Sequence, residues 1–372
     1  MEKRQLMRLV IPSVLVIIVS IITMKYSPSE TLVPLPSPVS DSSNLTTSKG
    51  VEIIAQGLQA PRAVDVSKDG RIFITEKNGS IRIVENGTLL EEPVGDIRVE
   101  NIGDAGLLGL ALHPNFTQNH LFYVYYTYSN NTGLFNRVLM LQESNYKIID
   151  SKTIIDGIPG GEYRDGGRIK FGPDGKLYVS TGDASIPELS QDPDSLAGKI
   201  LRVNEDGTIP LDNPISNSSV YAYGFRNAQG LAWNIGSGDL YVSDQGAAGN
   251  DEINLVTPGK NYGWPNEECN SNGENTAPLL CFNPSLEPSG LVFAGSDKLG
   301  YKEHLIVATL KGSHLREINF ETGSQSTILV GYGRIADVVE SWDGSIFVLT
   351  SNTDGRALPQ KDDDKILRLT RS

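Results

Sequence analysis

Apolar residues along this chain come in short bursts, and a turn signal precedes most of them. Six copies stand out: DGRIFIT (69–75), NHLFYVYYT (119–127), DGKLYVST (174–181), SGDLYVSD (237–244), EHLIVATL (303–310) and DGSIFVLT (343–350). Each is rich in β-branched and aromatic residues, which suit a pleated, half-buried surface. Several are followed by a second apolar segment and turn: SIRIVENGT, KILRVNEDGT, EINLVTPGK, HLREINFETG and KILRLT. Asp-Gly, Asn-Gly and Pro-Gly at the corners favour tight turns and hairpins. The copies recur every ~40 to 65 residues, a spacing that brackets propeller-blade periods with loop insertions. After residue 50 no long helical period appears, so crossover helices for a βαβ fold are missing. The pattern predicts an all-β, six-bladed β-propeller over residues 50–372. The segment VEIIAQGL is expected to complete the blade made by KILRLT, closing the ring. A seven- or eight-bladed ring is the alternative, with further strands hidden in the longer insertions.

The first 49 residues follow another pattern. Lys3, Arg4 and Arg8 precede LVIPSVLVIIVSIITM, a 16-residue apolar run. Basic residues before an apolar run direct export, with the positive end left in the cytoplasm. No A-x-A-like cleavage site follows Met24, so residues 1–25 read as an uncleaved membrane anchor, or as a signal peptide if they are removed. Residues 26–49 are rich in Ser, Thr and Pro and read as a solvated linker. The domain is therefore expected on the extracellular or periplasmic side, tethered or secreted.

Charge narrows the partners. The net charge is −13 over 372 residues, and no basic patch appears beyond the N-terminus, which argues against nucleic acid. Cys269 and Cys281 are the only two cysteines and can close a short disulfide loop in an oxidising compartment. Neither has a second Cys or His at zinc-ligand spacing. Sequons at Asn44, Asn78, Asn86, Asn115, Asn130 and Asn217 are compatible with glycosylation.

Five segments carry a resemblance: GLLGLALHPNF (106–116), GGRIKFGPDGKLYVSTGD (166–183), LAGKILRVNEDGTIP (196–210), YGFRNAQGLAW (223–233) and DEINLVTPGKNYGWP (251–265). In this order they resemble the soluble PQQ-dependent sugar dehydrogenases of the glucose/sorbosone type. That resemblance implies a six-bladed propeller holding pyrroloquinoline quinone (PQQ) and Ca²⁺ in a cleft at one end. It also implies an aldose substrate oxidised to a lactone, with electrons passed to an external acceptor. By the same resemblance, Arg226 and Asn227 contact the quinone, Gln229 completes their motif, and Lys311 and Arg334 pair with cofactor carboxylates. Gln245 precedes Gly246 and Ala247, whose carbonyls match the metal ligands. NYGWP reads as blade packing around Trp264. Asp251 and Glu252 read either as metal carboxylates or as hydrogen-bond acceptors in a strand turn.

The sequence departs from the family at the catalytic position. Aligned on Gly166-Gly167-Arg168, the family's catalytic histidine is Arg164, which stays protonated at physiological pH and cannot act as a base. Asp183 matches the aspartate that supports the histidine, so an Arg164–Asp183 pair is expected. Asp165, Asp104 or Asp183 itself can then serve as the base. Phe225, Ala228 and Ala336 also depart from the pattern, and Ala336 stands where a second cofactor-binding arginine belongs. The alternative is a catalytically inactive surface propeller that binds a glycan or protein. A hydrolase or lactonase on the same frame has no supporting spacing.

Overall fold

A computed structural model describes residues 50–269 and 273–371. The expected anchor and linker lie outside the described residues. Among those described, no helix is long and apolar enough to cross a membrane.

Six antiparallel sheets follow one another along the chain. Blade 1 comprises Pro61–Val66, Ile72–Glu76, Ser80–Glu85 and Thr88–Leu89, with Gly95–Asp96 also paired to its third strand. Blade 2 comprises Leu107–Leu112, Leu121–Asn130, Gly133–Ser144 and Lys147–Pro159, and blade 3 Gly166–Phe171, Leu177–Thr181, Lys199–Val203 and Val220–Tyr223. Blade 4 comprises Ala228–Trp233, Leu240–Asp244, Asp251–Val256 and Leu280–Phe282, and blade 5 Pro288–Phe293, Leu305–Thr309, His314–Ile318 and Gln325–Val330. Blade 6 takes Ile335–Glu340, Ile346–Thr350 and Lys365–Thr370 from the C-terminal region and Gly50–Gln56 from the start of the domain. All six repeated bursts form the second strand of a blade. The closing pair runs antiparallel, from Gly50 opposite Thr370 to Gln56 opposite Lys365.

The ring is held by six apolar clusters, one between each pair of neighbouring blades. Phe73, Phe116 and Phe122 join blades 1 and 2, and Tyr125, Ile169 and Val179 join blades 2 and 3. Val64, Phe347 and Ile366 seal blade 6 to blade 1. Each sheet thus buries both faces, which is why its core positions run nearly unbroken. The innermost strands pass too closely for side chains at two points. A Cβ on Gly109 would lie 2.0 Å from Gly167 O, and one on Gly230 would lie 2.2 Å from Ser289 O. Glycine is required there.

Near the axis the strands are tied by buried charge. Arg168 Nη1 meets Asp337 Oδ2 at 2.6 Å, and its Nε donates to Gln229 O at 3.1 Å. Val64 N donates to the same Asp337 oxygen at 3.0 Å, so blades 1, 3, 4 and 6 share one polar link. In every blade the first strand begins, and the second strand ends, on the same side of the ring, because neighbouring strands are antiparallel. The loops at those strand ends gather the residues that could do chemistry.

Candidate functional site

Arg164 closes a turn just before blade 3 and has φ +67°, a left-handed conformation that costs energy for a non-glycine residue. Its carbonyl accepts from Ala184 N at 3.1 Å, and a Cβ on Gly182 would lie 1.8 Å from that oxygen. The turn is therefore fitted against the end of the second strand. Arg164 Nη1 lies 3.4 Å from Asp183 Oδ2, and its side chain is 31% exposed.

Asp183 is fully buried, and both of its oxygens are engaged. Oδ2 also accepts from Trp264 Nε1 at 2.9 Å, while Oδ1 accepts from Ser185 N at 2.7 Å. Burial raises its pKa, and the positive charge of Arg164 and these donors oppose the shift. Trp264, expected to serve blade packing, instead belongs to the site: its indole NH fixes Asp183 and its ring lies 5.4 Å from the Arg226 guanidinium. An isolated tryptophan in a Gly-Trp-Pro stretch carries no local signal for that role, since it comes from a loop far along the chain.

Arg226 enters from the loop before blade 4. Its Nη1 donates to Gln245 O and Gly246 O, both at 2.8 Å, and its buried Nε has no acceptor. Burial and the neighbouring Arg164 charge lower its pKa. Beneath it, Asp244 accepts the backbone N–H groups of Arg226 at 2.9 Å and Asn227 at 2.6 Å. Burial pushes Asp244 up to about 7. Asn227 and Gln229 are buried links between blades. Asn227 Oδ1 accepts from Gly166 N at 3.0 Å and Gln229 Nε2 at 3.2 Å, and its Nδ2 donates to Gln245 Oε1 at 2.8 Å.

The expected metal ligands have other partners. Gly246 O receives Arg226 Nη1, and Ala247 O accepts from Asn250 N at 3.0 Å. Glu268 holds the same turn through Ala247 N at 2.6 Å and Asn250 Nδ2 at 3.0 Å. A dication at Gly246 would press against a guanidinium, so this arrangement does not fit calcium. Asp251 plays the plainer of its two roles: Oδ2 accepts from Ser285 Oγ, Leu286 N and Glu287 N at 2.7 to 2.8 Å. Cys269 and Cys281 form a disulfide across this region.

The opposite side of the cup is built by blades 1, 2 and 6. Asp104 lies 2.5 Å from an Arg356 nitrogen, and its backbone N–H donates to Glu162 O at 2.7 Å. That bond joins its loop to the one carrying Arg164. Asp165 faces elsewhere: Oδ1 accepts from Asn136 Nδ2 at 2.8 Å and Gly161 N at 3.0 Å, while Oδ2 is buried without a donor. Burial pushes Asp165 up to about 6. Arg334 is 7% exposed; its Nε lies 3.3 Å from Asp354 Oδ2 and its Nη1 3.5 Å from Glu287 Oε2. Its Nη2 has no acceptor. Lys311 is exposed on the loop after the second strand of blade 5 and makes no ion pair among the described residues. Arg62, which no sequence motif marks, stands among Asp104, Asp354, Arg334 and Arg356.

Residues 58–360 match the model of the glucose/sorbosone dehydrogenase family. The aldose sugar dehydrogenase YliI of Escherichia coli is 30% identical, over 83% of this chain and 91% of its own. A structure of a Thermus thermophilus oxidoreductase (glucose dehydrogenase) is 38% identical with TM-score 0.79, covering 86% of this chain and 99% of that one. The PQQ-bound aldose sugar dehydrogenase of Streptomyces coelicolor is 33% identical with TM-score 0.77, covering 87% and 99%. A cup of guanidinium groups at one end of a six-bladed ring, together with a matched span that covers nearly the whole described domain, makes this chain a member of the glucose/sorbosone dehydrogenase family.

Proposed function

We propose that the protein binds PQQ in this cup and oxidises the C1 hydroxyl of an aldose to a lactone, outside the cytoplasm, delivering electrons to an external acceptor. The observation that carries this reading is the set of unfilled cationic donors. Arg334 Nη2 and Arg226 Nε lack acceptors, and Lys311 has no counter-ion among the described residues. The two arginine donors are buried and costly unless a ligand completes them, and a tricarboxylate supplies acceptors for them and for the exposed Lys311. When bound, PQQ contributes a quinone able to take up hydride from carbon.

The protein's own part is positioning and charge. Lys311 and Arg334 would hold carboxylates, and Arg226 would stabilise negative charge on oxygen where hydride arrives. Arg164 retains its proton, so the hydroxyl proton must pass to a carboxylate. Asp183 is the acceptor we assign, because burial raises its affinity for a proton and Arg164 marks the position of the family's base. Asp104 is held by Arg356, and Asp165 is turned toward Asn136. No step is assigned to calcium.

Dye reduction by the full-length protein, loaded with PQQ and offered a panel of aldoses, tests the reading. Turnover above the PQQ-free control is expected, unaffected by chelator and abolished in Asp183→Asn but not in Asp165→Asn. No turnover at saturating PQQ would favour the alternative, a propeller that binds a glycan or protein.

A further inference from the structure

Arg62 and Arg334 face each other from neighbouring blades, and each keeps hydrogen-bond donors that the described residues do not fill. Arg62 sits at the start of the innermost strand of blade 1, half-buried, and makes no hydrogen bond or ion pair among the described residues. Arg334 immediately precedes the innermost strand of blade 6, which lies beside blade 1 through the Val64–Asp337 hydrogen bond. Arg334 is nine-tenths buried, yet Nη2 has no acceptor and its two carboxylate contacts are long, at 3.3 and 3.5 Å. The groups facing Arg62 are Asp104 and Asp354, which attract it, and Arg334 and Arg356, which repel it. Asp104 is already taken by Arg356. Lys77, on the adjacent loop, spends its ammonium on Gly103 O, and its pKa is lowered by burial and by the charge of Arg62.

Two guanidinium groups that repel one another and keep donors free are unfavourable in the empty protein. They become favourable when one anion spans both, since each can give charge-assisted bonds to the same carboxylate. From this geometry we infer that Arg62 and Arg334 form a carboxylate clamp across the seam between blades 6 and 1. The carboxylate is one of those of the cofactor, so the inference rests on the function proposed above. The clamp also accounts for Ala336. That residue is 2% exposed and its carbonyl is taken by Ser289 Oγ at 2.7 Å and Arg168 Nη2 at 3.3 Å, so the second positive charge comes from the neighbouring blade instead.

Isothermal titration calorimetry on the full-length protein tests the clamp, with PQQ and, separately, glucuronate as probes of the two possible carboxylate sources. Arg62→Gln and Arg334→Gln are each expected to weaken PQQ binding roughly 10- to 100-fold, the worth of a charge-assisted pair. Arg62→Lys should recover part of the loss. Because Arg62 makes no hydrogen bond or ion pair among the described residues, Arg62→Gln should leave the melting temperature unchanged or raise it, which a structural role would not do. If Arg62→Gln weakens glucuronate and spares PQQ, the assignment to a cofactor carboxylate is overturned and the pair's ligand is an acidic substrate. If the wild-type protein binds glucuronate through Arg62 but does not bind PQQ, the clamp stands and the proposed function falls. If Arg62→Gln changes neither probe by more than about twofold, or the wild-type protein binds neither, the clamp is overturned.

Discussion

On the blade 3 side of the cup, Arg164 shares Asp183 with Trp264 Nε1 and Ser185 N; Oδ2 takes two donors and Oδ1 one, which leaves Oδ1 a lone pair for a proton. On the blade 6 side, Arg334 keeps Nη2 without an acceptor, and Arg62 has no partner among the described residues. The first side satisfies its charges within the protein and is fixed before anything binds. The second leaves donors over and gains most from an incoming anion. A buried charge without a partner costs free energy that the fold must supply elsewhere. The contrast therefore separates the part of the cup that orients from the part that captures.

The largest expected effect comes from changing the satisfied side. Arg164→His places an imidazole of near-neutral pKa against Asp183, where it can serve as a general base. Turnover with PQQ should rise ~100-fold or more, with activity increasing through the imidazole's titration near pH 6 to 7, as read by dye reduction across pH. An unchanged rate would mean that proton removal is not limiting and would break the assignment of Asp183 as the acceptor.

Asp183→Asn tests the same side through stability. The amide presents N–H where a donor already points and leaves Arg164 beside Arg226 without a counter-charge. A loss of ~1 to 3 kcal/mol in urea unfolding is expected. Trp264→Phe removes only one donor from Asp183 and should cost less, ~0.5 to 1.5 kcal/mol in the same measurement. If Trp264→Phe costs as much as Asp183→Asn, the indole acts through packing rather than through its hydrogen bond.

The smallest effect is a slope. Burial pushes Glu252 up to about 8, with the charge of Asp244 adding to the shift, and Glu252 Oε2 accepts from Asn254 Nδ2 at 3.1 Å. An acid whose folded pKa is raised binds its proton more tightly when folded, so its contribution to stability falls as pH rises from its unfolded pKa to about 8. Asp244, about 7, acts in the same direction. Unfolding free energy measured at pH 5, 7 and 9 should decline, and Glu252→Gln should flatten that decline. An equally steep decline in the variant would show that Glu252 does not carry it.

Much of the frame was legible because the bursts such as DGKLYVST are local: a turn, then a short apolar run that suits a strand buried on both faces. They mark the second strand in all six blades, and the count of six excludes the seven- and eight-bladed alternatives. The third strand of blade 2, Gly133–Ser144, carries no burst of its own, because buried and half-buried positions mix along it, although a two-residue hairpin joins it to the second strand. In the site, the pairing of Arg164 with Asp183 could be anticipated from motif alignment, but the engagement of Asp183 by Trp264 could not. The residues are 81 positions apart and meet only when the loop from blade 4 folds over blade 3.

The sequence alone determined the strand repeat, the turn chemistry between strands and the placing of Arg164 just before Gly166-Gly167-Arg168, since each depends on residues close together in the chain. The tertiary structure decided which charges are satisfied. Val64 and Asp337 are 273 residues apart and become hydrogen-bonded neighbours only because the ring closes between blades 6 and 1. Arg62 and Arg334 meet at that same seam. An isolated arginine in APRAVD looks like an ordinary solvated charge, and its surroundings become a site only when closure brings the two ends of the domain together.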